Sequence, residues 1–494
     1  MRKPGLRKSV LRNSLRLIFV LLPASLTWLS CGGSGSAPGP KTSGVSYRAF
    51  VTNSVAAGSG AAGVFIVNAA ADVRPSVPPI AAGNNPGMMV VTPNMAETLV
   101  FSGNGLPSSD NQFTIINNTS ETAAGHVILP GMTESFVVSP DSSTAYVAVP
   151  TAAVTGQPPG IVEVIAISSG TVVGEVNIPS VQYLFIDNSG NRILAFSAGP
   201  DSVADTMAVI TPSNIGIPNA SAVTFVGGIG VFDHPVAAYF SSDDSTAYVL
   251  SCGAECGGTQ ASIQQFNLLT NTLVASVPLC VGSGSSQQCA GTVALVNGST
   301  LYVAGTPFTA GGGPSQLCPA GTTLATYCGL LTLFDLNSMS VTNPAPIVIT
   351  DGYHDQIALG PNGQLFIGAH TCTEIIPPSP PPAGAEIRGC LSIFNTLTTA
   401  VGSAPPGGVL IPPENGDVTG LQPIAKRNEQ VGQDQLAQLV VYVIQGQGVA
   451  NQGGTLYIYD TTVDALEYNP NDINNPGQIF GLVGDFVDVK TVDF

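Results

Sequence analysis

The sequence predicts an all-β chain, an eight-bladed β-propeller of four-stranded antiparallel blades, from three observations. First, a short strand of the Ala-Tyr-Val kind recurs around Phe50, Val100, Tyr146, Leu194, Tyr248, Tyr302, Phe366 and Tyr442, each followed by a strand of the Gly-hydrophobic-x-hydrophobic-hydrophobic kind. Second, the copies are 46 residues (Val100 to Tyr146) to 76 residues (Phe366 to Tyr442) apart, the period of a four-stranded unit repeated around a ring. Third, 57 glycines, 39 prolines and only 9% charged residues suit turn-rich β-structure and are too apolar for disorder.

Residues 1–30 stand outside the repeats. They hold Arg2, Lys3, Arg7, Lys8, Arg12 and Arg16, no acidic residue, and the apolar run Leu17 to Leu29, the layout of an export signal. The run is short of the roughly 20 residues that a spanning helix needs. Cys31 follows and opens a flexible Gly/Ser/Pro linker over residues 31–46. A cysteine between an apolar run and such a linker resembles the lipobox of bacterial lipoproteins. That resemblance implies a diacylglyceryl group on Cys31 and a propeller, residues 47–494, anchored at the outer membrane or cell surface through lipid only. An ordinary secreted chain and an uncleaved anchor are the alternatives. Loss of the signal leaves eight basic against 31 acidic residues, a net charge of −23, which repels phosphate backbones and argues against nucleic acid as a partner.

The third repeat is the template: Phe136 to Val138 is strand a, Ser139-Pro140-Asp141 opens the turn, and Ala145 to Val149, Ile161 to Ile167 and Thr171 to Ile178 are strands b, c and d. Short alternating strands punctuated by Asp, Asn, Gly and Pro are the hairpin signal. The same order recurs in units of about 86–131, 181–230, 231–284, 289–350, 351–413 and 414–483. The first unit begins at strand b (Ala49 to Asn53), with Val64 to Asn68 as strand c and no strand a before it. The missing strand is expected at the other end, where Phe486 to Phe494 alternates with nothing after it, so that pairing the two closes the ring and leaves no open edge. Seven blades is the alternative, should 414–483 be partly an insertion.

Ala49-Phe50-Val51-Thr52-Asn53 followed by Gly63-Val64-Phe65-Ile66-Val67-Asn68, and Ser139-Pro140-Asp141 before Ala145-Tyr146-Val147, resemble the Tyr-Val-Thr-Asn (YVTN) family of β-propeller repeats of bacterial and archaeal surface proteins. The resemblance covers residues 45–494 and implies a radial array of four-stranded blades, a fold that hosts binders and enzymes alike. The single tryptophan, Trp28, lies in the export signal, which excludes the quinone-cofactor propellers with their tryptophan docking motif.

With Cys31 set aside, eight cysteines remain in four close pairs. An even count in an exported chain argues for disulfides, and loop closure favours neighbours: Cys252 with Cys256, Cys280 with Cys289, Cys318 with Cys328, and Cys372 with Cys390. A loop of about 15 residues closed in this way is worth roughly 3 kcal/mol. A zinc site is the weaker reading, because no Cys-x-x-Cys occurs.

Strands of a blade alternate in direction, so b-to-c and d-to-a connections emerge on one face and a-to-b and c-to-d on the other. The second set is tight, whereas Ser251 to Gly258, Leu279 to Ala290, Thr306 to Gly329 and Thr371 to Gly389 are long and hold all four cysteine pairs. Long loops in a compact fold are where function concentrates. On that face, residues entering strand a are expected around a central channel: Glu134, Asp233, His234, His354, Asp355, Asp417 and Asp485, with His370 leaning in from strand b. Such a set suits a divalent cation or a polarised carbonyl, as in lactone-hydrolysing propellers, although Asp and His at loop starts also serve as caps and turn formers. No cofactor is expected beyond that cation. Gly311 to Gly313 lacks a following Lys or helix and reads as a flexible loop, and Pro377 to Pro382 as a rigid spacer.

The function expected from these residues is a monomeric, extracytoplasmic, lipid-anchored scaffold that binds an unidentified protein or small molecule on its disulfide-bearing loop face, rather than an enzyme. A lactonase-like or metal-dependent hydrolase working through the His and carboxylate ring is the first alternative, and a structural coat component the second.

Overall fold

The computed structural model describes residues 42–54, 62–103, 110–197, 206–227, 231–283, 287–318, 325–373, 390–397, 399, 403–412, 416–430, 433–446, 455–466 and 485–493. Cys31, the expected export signal and the 377–382 proline tract lie outside them. The described strands form eight antiparallel blades. Blade 3 is Phe136–Val138, Thr144–Val149, Ile161–Ala166 and Thr171–Asn177, within a residue or two of the expected strand bounds, and blade 5 is Pro235–Phe240, Thr246–Ser251, Ser262–Asn267 and Thr272–Pro278, inside the expected unit 231–284. The 414–483 stretch supplies a whole blade of its own, Asp417–Gln430, Gln433–Gly446, Thr455–Asp460 and Ala465–Leu466, so the count is eight rather than seven. A further two-stranded hairpin, Cys280–Val281 with Gln288–Cys289, leads from blade 5 to blade 6.

Why strand b reads as an unbroken apolar run is explained by burial on both faces. Successive side chains point to opposite sides of a blade, so Ala145, Val147 and Val149 enter the seam with blade 2 while Tyr146 and Ala148 enter the seam with blade 4. Eight such seams occur among the described residues, one between every pair of neighbouring blades. One of them exists only because the ends of the chain meet: Phe486 and Val489 pack against Ile424 and Tyr442 of blade 8. In the seam of blades 1 and 2, Val492 of the closing strand joins Phe50, Met89 and Val100.

The hairpins on the tight face repeat a local chemistry. At the end of strand c an Asn or Asp accepts the backbone N–H groups two and three residues on: Asn117 from Thr119 and Ser120, Asn267 from Leu269 and Thr270, Asp335 from Asn337 and Ser338. This Asx turn reverses the chain before a residue of positive φ (Glu121, Asn271, Met339) delivers it into strand d. The outer strand then carries a bulge at one repeated position. The register skips Ala124 in blade 2, Val173 in blade 3 and Val274 in blade 5, and these valines stand 62% and 59% exposed.

Closure is completed as the sequence predicts. Arg48–Ser54 pairs on one side with Gly63–Asn68 and on the other with Asp485–Thr491, Val51 facing Val489. Arg48, 2% exposed, locks the joint. Its Nε and Nη2 donate to the two carboxylate oxygens of Asp493 at 2.8 Å each, and its Nη1 donates to Glu121 Oε1 at 2.8 Å and to the Asn118 carbonyl. Glu121 also accepts the backbone N–H and hydroxyl of Ser43. Arg48→Ala leaves two inward-turned carboxylates without their cation, a loss on the order of 3–5 kcal/mol, so chemical denaturation should show a lower midpoint. An unchanged midpoint would mean that the seams alone hold the ring shut.

Candidate functional site

In blades 4, 5, 7 and 8 the inner strand carries one extra residue close to its start: Gln182, Val236, Asp355 and Thr419. Bulges of this kind re-aim a side chain. Asp355 is the clearest instance: its Oδ2 accepts a hydrogen bond from Nε2 of His370, the last residue of the neighbouring strand b, at 2.8 Å, with both side chains about one-third exposed. Asp417 of blade 8 accepts the Thr371 backbone N–H at 2.8 Å and adds its field. The bond to Asp355, reinforced by both carboxylates and opposed by burial, holds the His370 proton above the ordinary 6.5.

Around this pair stand Glu134 and three groups that the sequence did not single out, Tyr183, Tyr353 and Glu255. Tyr183 of blade 4 and Tyr353 of blade 7 stand on inner strands three blades apart, and their phenols come within each other's field. Burial raises both phenols. Glu134 accepts a hydrogen bond from Gln182 Nε2, and its charge reaches Tyr183. Glu255 sits on the short 3-10 turn Gly253–Cys256, inside the loop closed by Cys252 and Cys256, and its Oε2 accepts the Thr306 N–H at 2.8 Å. Burial pushes the Glu255 carboxyl up to about 8, so at neutral pH it is an acid beside Tyr353. Gly305 makes this docking possible, because a Cβ there would lie 2.9 Å from Glu255 Oε2.

The expected residues therefore divide. Glu134, Asp355, His370 and Asp417 gather with the two tyrosines and Glu255. Asp233 and His234 lie apart, lining a cleft on blade 5, their side chains 3.3 Å from each other. His354 is fully buried near Gly329 and Thr350, and neither ring nitrogen meets a hydrogen-bond partner among the described residues. Burial pushes its pKa down to about 4. Asp485 begins the closing strand opposite Ser54, and its side chain lies outside the described residues. No three His, Cys, Asp or Glu side chains among the described residues are grouped to hold a metal ion.

All four expected disulfides are present: Cys252–Cys256, Cys280–Cys289, Cys318–Cys328 and Cys372–Cys390. Their loops are joined by hydrogen bonds as well. Ser315 Oγ donates to Gln288 Oε1 at 2.8 Å, Thr306 Oγ1 to the Gly352 carbonyl at 2.7 Å, and Thr373 N to Asp351 Oδ1 at 2.9 Å. Blades 5, 6 and 7 thus share one braced surface on the long-loop face.

The two histidines of blade 7 should respond to pH in opposite senses. His354 is neutral when folded and takes a proton when unfolded, so its contribution to stability is whole above 6.5 and drains away as the pH falls from 6.5 towards 4. His370 contributes below 6.5 and loses that contribution as the pH rises through its elevated folded value. Nuclear magnetic resonance titration should show one imidazole that stays neutral to about pH 4 and one that titrates above 6.5 and falls back in Asp355→Asn. Coincident titration of the two would contradict these placements.

No protein-family model and no curated protein matches this chain. Among solved structures it is similar to the β-propeller domain of Myceliophteria thermophila Cps50 (Swd1), at 10% identity and a TM-score of 0.43 over 78% of this chain and 99% of that one. A functionally unknown protein from Desulfotomaculum acetoxidans DSM 771 shares 15% identity at a TM-score of 0.44, over 74% of this chain and 98% of its own. Kuenenia stuttgartiensis hydrazine synthase shares 14% at 0.43, over 60% of this chain and 76% of its own. At such identities and scores the likeness says nothing about function.

Proposed function

We propose that this chain is an extracytoplasmic binding scaffold, held to the cell envelope by a lipid on Cys31, which takes a protein or small-molecule ligand on the long-loop face of blades 5 to 7. One observation carries the reading: every disulfide of the described residues closes a connection on that face, and none closes a turn on the other. Disulfides belong to an oxidising compartment, and loops ordered in advance lose less entropy on binding. On the same face lies a half-buried mixture of an imidazole paired with a carboxylate, further carboxylates, a buried carboxylic acid and two phenols, which offers both donors and acceptors. The opposite face offers short turns whose Asp141 and Asp243 carboxylates are already occupied by their own serines.

Affinity capture from the native envelope fraction tests this with three proteins: the wild type, an Asp355→Asn/His370→Ala variant and an Asp141→Ala/Asp243→Ala variant. A ligand retained by the wild type and the turn variant, and reduced at least tenfold by the loop-face variant, is the expected result. The reverse pattern would place recognition on the other face. In the same cells Cys31→Ser should move the protein from the membrane to the soluble fraction, and continued membrane association would remove the lipid from the account.

A further inference from the structure

The blade 5 cleft that holds Asp233 and His234 is separate from the channel mouth and does not depend on it. Its volume is about 530 Å³, within the roughly 300–1,000 Å³ of small-molecule sites. Its floor is made by strand c of blade 5, Ser262–Asn267, where the alternation places Ser262 and Gln264 on the same side as Phe266, which packs into the seam with blade 4. A glutamine 1% exposed in the middle of a strand is an unusual core residue.

A chain of hydrogen bonds orients that amide. The Asp233 backbone N–H donates to Ser251 Oγ at 3.2 Å, Ser251 Oγ donates to Gln264 Oε1 at 3.0 Å, and Gln264 Nε2 donates to Ser262 Oγ at 2.7 Å. With Oε1 and Nε2 so assigned, the second N–H of Gln264 and the hydroxyl hydrogen of Ser262 have no acceptor among the described residues, and both groups line the cleft. Burying donors without acceptors is costly, so the floor favours an occupant that brings acceptors.

The rim restricts the charge of that occupant. Asp233 Oδ2 accepts three hydrogen bonds, from Thr259 N (2.8 Å), Thr259 Oγ1 (2.6 Å) and Gln260 N (2.8 Å), and Oδ1 faces His234 Nδ1. Its lone pairs are taken, which leaves little for a cation, while its negative charge repels an anion. Val231 and Pro278 make an apolar wall beside these polar groups, backed by the buried Phe232, and exposed Ser276 stands on the neighbouring outer strand opposite Gln264.

We infer that this cleft is a binding site for an uncharged, hydroxyl-rich ring, a neutral pyranose sugar, whose oxygens accept from Gln264 and Ser262 and whose C–H face lies along the apolar wall. Saturation-transfer nuclear magnetic resonance on the exported protein, with the methyl glycosides of glucose, galactose, mannose and N-acetylglucosamine, tests it, with glucuronate as the charged control. At least one neutral glycoside should bind. Ser276→Trp, which fills the mouth from an exposed position, should weaken it at least tenfold, as should Gln264→Leu with folding checked by circular dichroism, and Asp355→Asn should leave it unchanged. Absence of transfer from every neutral glycoside, binding that survives Ser276→Trp, or a preference for glucuronate would each overturn the assignment.

Discussion

The guanidinium of Arg48 joins three pieces of chain that lie far apart in sequence: the opening strand that carries it, the c-to-d turn of blade 2 through Glu121, and the C-terminal tail through Asp493. Bringing the last strand back beside the first closes a loop that spans nearly the whole propeller, and the chain entropy of such a closure grows to roughly 5 kcal/mol plus a constant. The seam that closure creates, between blades 8 and 1, contains thirteen buried residues. At about 1.5–3 kcal/mol for each large apolar side chain, it outweighs the entropy several times over. A buried ion pair contributes modestly to net stability and more to specificity. Here it ties the strand that completes blade 1 to the opening strand and to blade 2.

Much of this architecture was legible because a propeller repeats its physics. Burial on both faces writes strand b as an apolar run eight times, and the lone b strand at Ala49 together with the lone strand at Val487 revealed the closure. The cysteine pairs were legible because short loops close most readily. What the sequence concealed was local register. His354 and Asp355 are neighbours that looked equivalent, yet one is fully buried and the other, as the extra residue of a bulge, meets His370. Nothing in the order of residues announces which of two adjacent positions a bulge will take.

The mouth shows a second limit. Glu255 is held as an acid by burial, against the opposing pull of a backbone N–H 51 residues away, at Thr306, and Tyr183 and Tyr353 come within each other's field from three blades off. Only a folded ring creates those environments. The blade 5 cleft left a fainter trace: Ser262 and Gln264 interrupt a face that Phe266 continues as apolar, and a polar interruption on a buried face marks a place where hydrogen bonds must be found.

The repeated bulge on the outer strands bears on life at high density. A flat outermost strand would offer its free backbone groups to any neighbour, and molecules crowded side by side would pair edge to edge. The skipped residues at Ala124, Val173 and Val274 spoil the template on three blades. On those three blades a second copy finds no continuous row of backbone groups to pair with.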